Sequence, residues 1–260
     1  MSRLDLTFVG HATLIIEMSG VRVMTDPLLR RYLGPLVRHG PPIADEWLKP
    51  VDAMLLSHVH HDHLDFKSLK MMGSRTPLVA PRGAGATLSR HGHSRIIEVV
   101  AGDSFRVGGV DVEVVPAKHP NARQPLGPVA EPVGYVLRGY RSVYFPGDTD
   151  VFGRMATMAP DLDLALMPVW GWGPTLGDGH MDPYDAAEAV RLLRPRAAVP
   201  IHWGTFSPVG FRWLKPGFLT DPPIDFAHRV AELSPSTDVY VLVAGETLRI
   251  DEASTRVLGS

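Results

Sequence analysis

The sequence predicts an α+β architecture, two β-sheets packed together and covered by helices, as a single domain over residues 1–260. Three observations carry this. Short apolar strand candidates recur in both halves of the chain, with helical segments interspersed, which is the pattern of a layered domain. The chain holds 25 glycines and 24 prolines in 260 residues, so many ordered loops should join short elements. Hydrophobic residues make up 45% of it, ample for a core, and no linker, charge block or low-complexity run separates the halves.

The elements follow in order. Leu4 to Phe8 alternates apolar and polar residues, and Ala12 to Met18 and Val21 to Met24 form a hairpin across Ser19-Gly20. A long loop is expected from Pro27 to Pro50. Ala53 to Leu56 is a continuous apolar run, as expected of a buried strand. Phe66 to Met72 and Gly83 to His91 read as short helices, and Ile96 to Val115 holds three short strands. Val133 to Leu137 and Ser142 to Phe145 flank a turn containing Gly139. Leu162 to Met167 is a further buried strand. Asp182 is a good helix N-cap, Pro183 suits the first helical position and Asp185 favours the positive helix end. Ala186, Ala189, Val190 and Leu193 form that helix's apolar stripe, and Pro195 ends it. Ala197 to Ile201 is a strand, Ile224 to Leu233 a helix and Val239 to Val243 the last strand. The second half repeats the style of the first, a weak hint of duplication.

Chemistry concentrates in His58-Val59-His60-His61-Asp62-His63. In extended backbone, residues two apart point the same way, so His58 and His60 can reach one ion. Asp62 and His63 lie beyond the bend that should follow and can face a second. The chain has no cysteine, so any metal must sit on nitrogen and oxygen.

This string resembles the HxHxDH signature of the metallo-β-lactamase superfamily, and other motifs of that family occur in order: Thr25-Asp26-Pro27, the isolated His119, Gly147-Asp148-Thr149 and His202. The resemblance implies an αββα sandwich of two mixed sheets flanked by helices, with the metals at one edge. It implies that His58, His60 and His119 bind one metal, that Asp62, His63 and His202 bind another, and that Asp148 bridges them. It further implies hydrolysis by a hydroxide bridging two metals, since an open coordination position marks a catalytic site. Asp62 and Asp148 thereby count as catalytic. Asp26 is expected to accept a hydrogen bond from a ligand imidazole, as ligating histidines are usually oriented this way. Asp65 is weighed for the same role. His61, the variable position of the motif, should point away.

Phe8-Val9-Gly10-His11-Ala12-Thr13, Ile201-His202-Trp203-Gly204-Thr205-Phe206 and Gly179-His180-Met181-Asp182-Pro183 resemble the branch containing N-acyl-phosphatidylethanolamine phospholipase D, RomA-like proteins and ascorbate-6-phosphate lactonases. In that branch the equivalent of His180 lies in the active site without being a standard ligand, so His180 is expected to contact the substrate oxyanion or leaving group. His11 is expected to reach the site from behind the ligands. His119 is followed by Pro120-Asn121-Ala122, unlike the family's His-Trp-Ser pattern.

The cofactors expected are two divalent ions, zinc foremost, with manganese, iron or nickel accepted by the same donors. The expected substrate is a small-molecule or lipid-like phosphodiester, ester or lactone. The loops expected around the metals carry Trp170, Trp172, Phe206, Phe211 and Trp213, with Tyr32 and Leu33, and the cations Arg30, Arg31, Lys118, Arg123, Arg212 and Lys215. The alternatives are an iron-loaded redox protein of the same fold and a non-catalytic metal-containing binding protein. A formal charge of −2 disfavours nucleic acid as a main partner. No stretch approaches the roughly 20 apolar residues of a membrane span, and Arg3 and Asp5 interrupt any signal-peptide core, so a cytoplasmic location is expected. A homo-oligomer is compatible with all of this.

Overall fold

A computed structural model describes residues 2–122, 127–171, 176–252 and 254–259. Strands β1 (Arg3–Gly10), β2 (Thr13–Met18) and β3 (Val21–Thr25) form an antiparallel meander. Ser19 and Gly20, both at positive φ (53° and 76°), make the β2–β3 turn that matches strand twist. The stretch from Pro27 to Pro50, expected as loop throughout, carries the hairpin β4 (Tyr32–Leu33) and β5 (Leu36–Arg38) and a 3-10 helix at Asp45–Leu48. These strands are too short for a period-2 pattern to emerge, and their hydrogen-bond partner is distant in sequence.

Next come β6 (Ala53–Leu55), α1 (Phe66–Met71), β7 (Leu78–Pro81), α2 (Gly85–Arg90) and β8 (Ile96–Val99). Strands β9 (Ser104–Val107), β10 (Val110–Pro116), β11 (Val133–Arg138) and β12 (Ser142–Phe145) begin the other sheet, followed by α3 (Met155–Met158), β13 (Leu164–Pro168), α4 (Pro183–Leu193) and β14 (Ala197–Ile201). The chain then forms β15 (Phe206–Pro208), α5 (Phe211–Leu214), a 3-10 turn at Pro216–Leu219, α6 (Asp221–Leu233), β16 (Asp238–Val239), β17 (Thr247–Asp251) and β18 (Thr255–Leu258).

Two sheets result, in the orders β18-β17-β1-β2-β3-β6-β7-β8 and β16-β14-β13-β12-β11-β10-β9. Each is mixed. Antiparallel β1-β2-β3 gives way to parallel β6, β7 and β8, and antiparallel β10-β11-β12 gives way to parallel β13, β14 and β16. A third, three-stranded sheet joins β15, β5 and β4.

Strand alternation explains the layers. Leu14, Ile16, Val23, Ala53 and Leu55 face the core shared with Val112, Tyr135, Leu137, Val143 and Phe145 of the second sheet. Their neighbours Ile15, Met24, Met54 and Leu56 face outward, beneath Leu69 of α1 and Leu88 of α2. Ala186, Ala189 and Val190 of α4 and Phe226 and Val230 of α6 cover the second sheet, which completes the αββα layering.

Three boundaries depart from expectation. Helix α6 begins at Asp221, not Ile224, because Pro222 and Pro223 sit in the first turn, where no backbone N–H is needed. The strand expected at Val239 to Val243 is the two-residue β16, and Val241 and Val243 are exposed. Strands β17 and β18 instead extend the first sheet beyond β1. Among the described residues no helix is long and apolar enough to cross a membrane.

Candidate metal centre

The candidate residues converge where the parallel strands end, the usual place for ligands in open α/β sheets. Asp26 follows β3, the His58–His63 string follows β6, Asp148 follows β12 and His202 follows β14. His119 arrives on the loop after β10. Two glycines shape these ends. Gly147 takes φ of 64°, and a side chain there would collide with Ser57. Gly179 takes φ of 81° against His119 and Pro120, which brings its carbonyl to the His119 ring.

Each imidazole is held from behind. His119 Nδ1 donates to the Gly179 carbonyl (2.7 Å), His60 Nε2 to the Ala122 carbonyl (3.1 Å) and His202 Nδ1 to the Trp170 carbonyl (2.7 Å). His63 Nδ1 donates to Asp26 Oδ2 (2.7 Å). The Ser57 hydroxyl donates to Asp26 Oδ2 (2.5 Å) and so accepts from His58 Nδ1 (2.9 Å). These partners assign the tautomers. In the neutral form of each of the five rings the remaining nitrogen carries a lone pair and points inward.

The inward atoms stand close together. His60 Nδ1 and His119 Nε2 are 2.9 Å apart, and His63 Nε2 and His202 Nε2 are 3.1 Å apart. Two facing lone pairs repel unless an electrophile lies between them. Buried His58 Nε2 and Asp148 Oδ1 have no hydrogen-bond partner. The Asp148 carboxylate lies 3.2 Å from His63 Nε2, 3.3 Å from His202 Nε2 and 3.9 Å from His58 Nε2. Asp62 Oδ2 lies 3.7 Å from both His63 Nε2 and His202 Nε2. Donors roughly 2 Å from a tetrahedral ion stand about 3.3 Å apart, so this spacing suits coordination. Among the described residues four overlapping groups of possible ligands emerge: His58, His60 and His119; His11, Asp62, His63 and His202; Asp26, His58 and His63; and His119, Asp148 and His180. The donor set fits divalent cations.

Electrostatics agree. Burial holds His58 far below the usual imidazole range and lowers His119 to about 4, leaving both neutral and able to donate lone pairs. Burial opposes charge on Asp148 and Asp62, yet the surrounding histidines, His202 and His63 foremost for Asp148 and His63 and His11 for Asp62, keep both carboxyls well below their ordinary value. His63 goes the other way. Burial opposes its charge, but Asp148, Asp62 and Asp26 raise it well above 6.5. Three carboxylates around one ring call for positive charge at this spot, which a proton or a cation can supply.

His11 is buried with φ of 58°, its Nε2 lies 3.0 Å from Asp62 Oδ2, and its ring lies 3.8 Å from that of His202. Burial, with His202 next in weight, lowers it to about 3, so it is a neutral donor to Asp62. His180 is partly exposed, with Nε2 3.4 Å from Asp148 Oδ2 and Nδ1 3.1 Å from the Gly177 carbonyl. Asp65 does not join the ligand histidines. It caps α1 through Ser68 and pairs with Arg30 (3.0 Å), because it lies one residue before the helix and outside the ring of donors. His61 is exposed and belongs to none of these groups.

Sequence reasoning missed Ser57, Thr205 and Arg38. The Thr205 hydroxyl accepts from the His11 backbone N–H (2.6 Å), and the Arg38 guanidinium donates to the carbonyls of Val9 and Leu28 below the His11 turn. The only advance signal was the branch motif containing Thr205. Of the loop residues expected near the metals, Trp170 supplies its carbonyl to His202. Arg30 is committed to Asp65 and Lys118 to Asp150 (2.7 Å). Trp172 and Arg123 lie outside the described residues.

Comparison with known proteins gives a consistent picture. Residues 21–203 match a family described as a beta-lactamase superfamily domain. A UPF0173 metal-dependent hydrolase of Methanopyrus kandleri is 30% identical over 93% of this chain and 98% of its own. The N-acyl-phosphatidylethanolamine-hydrolyzing phospholipase D 1 of Caenorhabditis elegans is 30% identical over 80% of this chain and 66% of its own. A Mycobacterium tuberculosis protein is 32% identical over 83% of this chain, which spans 62% of that relative's length. In structure, a metallo hydrolase from Ignicoccus hospitalis superposes with a TM-score of 0.71, covering 96% of this chain and 99% of that one at 23% identity.

Proposed function

The chain belongs to the metallo-β-lactamase superfamily of metal-dependent hydrolases, and from that premise we propose that it cleaves a phosphodiester, or a small ester or lactone, at a site built for two divalent ions. His58, His60 and His119 would hold one ion, Asp62, His63 and His202 the other, and Asp148 both. The observation that carries this reading is the convergence of five imidazoles and two carboxylates within ligand distance of one another, with buried His58 Nε2 and Asp148 Oδ1 lacking a hydrogen-bond partner. Divalent ions bound there would acidify water and polarise the scissile group, with zinc suited to the donors.

The chain's own residues do the rest. Gly179, Ala122, Trp170, Asp26 and Ser57 orient the rings. His11 fixes Asp62 by a hydrogen bond, and Asp62, ionised, would take a proton from attacking water. His180 stands at the accessible rim, where an N–H can stabilise developing negative charge or protonate a leaving oxygen. The nematode relative's named activity supports the phosphodiester class.

The test is an assay of metal-loaded protein on bis(4-nitrophenyl) phosphate and on a panel of esters and lactones. Turnover that disappears with chelator and in Asp148→Ala is expected. Fully loaded protein inert on every class would reject the reading. Iron with visible absorbance, together with inert zinc-loaded protein, would favour redox chemistry instead.

A further inference from the structure

The turn between β1 and β2 has a backbone that few sequences could follow. Gly10 takes φ of 128° where the β1–β2 register shifts, and a side chain there would meet Arg38 Nη2 and Thr205 at 2.9 Å. His11 follows with φ of 58°, left-handed backbone that is uncommon for a residue with a side chain. Two main-chain bonds hold it. The His11 N–H donates to the Thr205 hydroxyl (2.6 Å), and the His11 carbonyl accepts from the His202 N–H (2.9 Å). A turn of the first sheet is thereby locked to the end of β14 in the second, with the His11 ring buried between them.

The neighbours of that ring are one-sided. Its Nε2 donates to Asp62 Oδ2 (3.0 Å), and its centroid lies 3.8 Å from that of His202 and 5.4 Å from that of His63. Asp62, His63 and His202 are the three residues assigned above to one ion. Those assigned to the other are backed from elsewhere: His58 by Ser57, His60 by the Ala122 carbonyl and His119 by the Gly179 carbonyl. An ionised carboxylate only accepts, so the proton of neutral His11 sits on Nε2, which then has no lone pair for a metal. His11 therefore works through Asp62. The Oδ2 it grips also lies 3.7 Å from both His63 Nε2 and His202 Nε2, so the bond that fixes this oxygen fixes a metal donor.

We propose that His11 is the positioning residue of one ion alone: it sets how tightly Asp62, His63 and His202 hold their ion and leaves the ion of His58, His60 and His119 unchanged. This assignment rests on the two-ion reading proposed above.

Cadmium-113 NMR of the full chain, stripped and reloaded with cadmium, tests it without requiring turnover. The wild type should give two resonances, and His119→Ala and His202→Ala, each left with one, identify the ion behind each. In His11→Ala the ion that His202→Ala loses should weaken by about 10- to 100-fold in Kd, measured by chelator competition, while the other resonance keeps its position and affinity. The main-chain bonds of His11 do not depend on its side chain, so the turn should persist. His11→Gln, whose side-chain amide can donate in place of Nε2–H, should restore most of the lost affinity. Equal weakening of both ions in His11→Ala would show a general structural role and overturn the proposal. So would full affinity for both ions, or a His11→Gln chain as weak as His11→Ala, which would make the imidazole itself a ligand. A single resonance from the wild type would overturn the two-ion reading together with this assignment. Two resonances and the expected His11 pattern in a chain that hydrolyses nothing would reject the proposed activity and leave the assignment standing.

Discussion

The strand ends that carry the metal-facing donors and the face made by β4, β5 and α5 are neighbours of opposite construction. At the strand ends every ring nitrogen turned away from the centre has a partner, and His58, His63, His202, Asp26 and Asp148 are all buried. Three of the six non-glycine residues with positive φ among the described residues, His11, Asp26 and His202, lie here. Such backbone persists only where the surroundings over-determine it. The hairpin and α5 face, by contrast, expose Tyr32, Val209, Trp213 and Leu214. The difference teaches that the candidate metal donors sit in a buried, hydrogen-bonded frame, whereas the β4–β5 and α5 face lies outside it and exposes its apolar side chains.

If that contrast holds, changes at the strand ends should dominate. Asp148→Ala should abolish stable metal binding and lower hydrolysis by roughly a thousandfold or more, several kcal/mol of lost stabilisation. Near-normal activity in that variant would break the comparison. One step back, Asp26→Asn replaces the carboxylate that accepts from His63, the Ser57 hydroxyl and the Ser57 N–H (2.8 Å). Metal affinity should weaken by about 10- to 100-fold, measured by competition with a chromogenic chelator.

Acid should act on the same region. His11 and His58 are buried and His119 half-buried, all three held neutral, with His11 near 3 and His119 near 4, whereas imidazoles of an unfolded chain titrate near 6.5. Between those limits the unfolded chain binds more protons, so stability falls as pH falls. His63 and His180, raised above 6.5, oppose this, since their contribution is present at low pH and lost as pH rises. The lowered rings outnumber the raised ones. Thermal melts in chelator should therefore show lower melting temperatures from pH 6.5 down to 4, with His119 alone contributing up to roughly 3 kcal/mol. A flat profile would show that the rings are not held neutral in the folded chain. The smallest effect belongs to the outer face: Trp213→Ser should change stability by no more than about 0.5 kcal/mol and leave metal content intact.

The sequence was legible where information is local. Six consecutive residues bring four donors to the end of β6, and the continuous apolar run Ala53 to Leu56 already marks the strand that delivers them. His119, Asp148 and His202 are single residues, and only their order, matched to a family, linked them to the string. The supports were harder. Ser57, Arg38 and the carbonyls of Ala122, Trp170 and Gly179 owe their roles to partners brought near by folding, and nothing in their own neighbourhoods signals it. The same reason hid β7, β15 and β17, short strands whose partners lie on other strands, and the start of α6, where two prolines look like a break but occupy a helix's first turn.

Metal stoichiometry tests the central claim most directly. Protein stripped with chelator, titrated with zinc and analysed for bound metal by mass spectrometry should take up two ions per chain, and His119→Ala or His202→Ala should each take up one. A wild-type chain that saturates at one ion or fewer, or a His119→Ala/His202→Ala double variant that still holds two, would contradict the two-ion site.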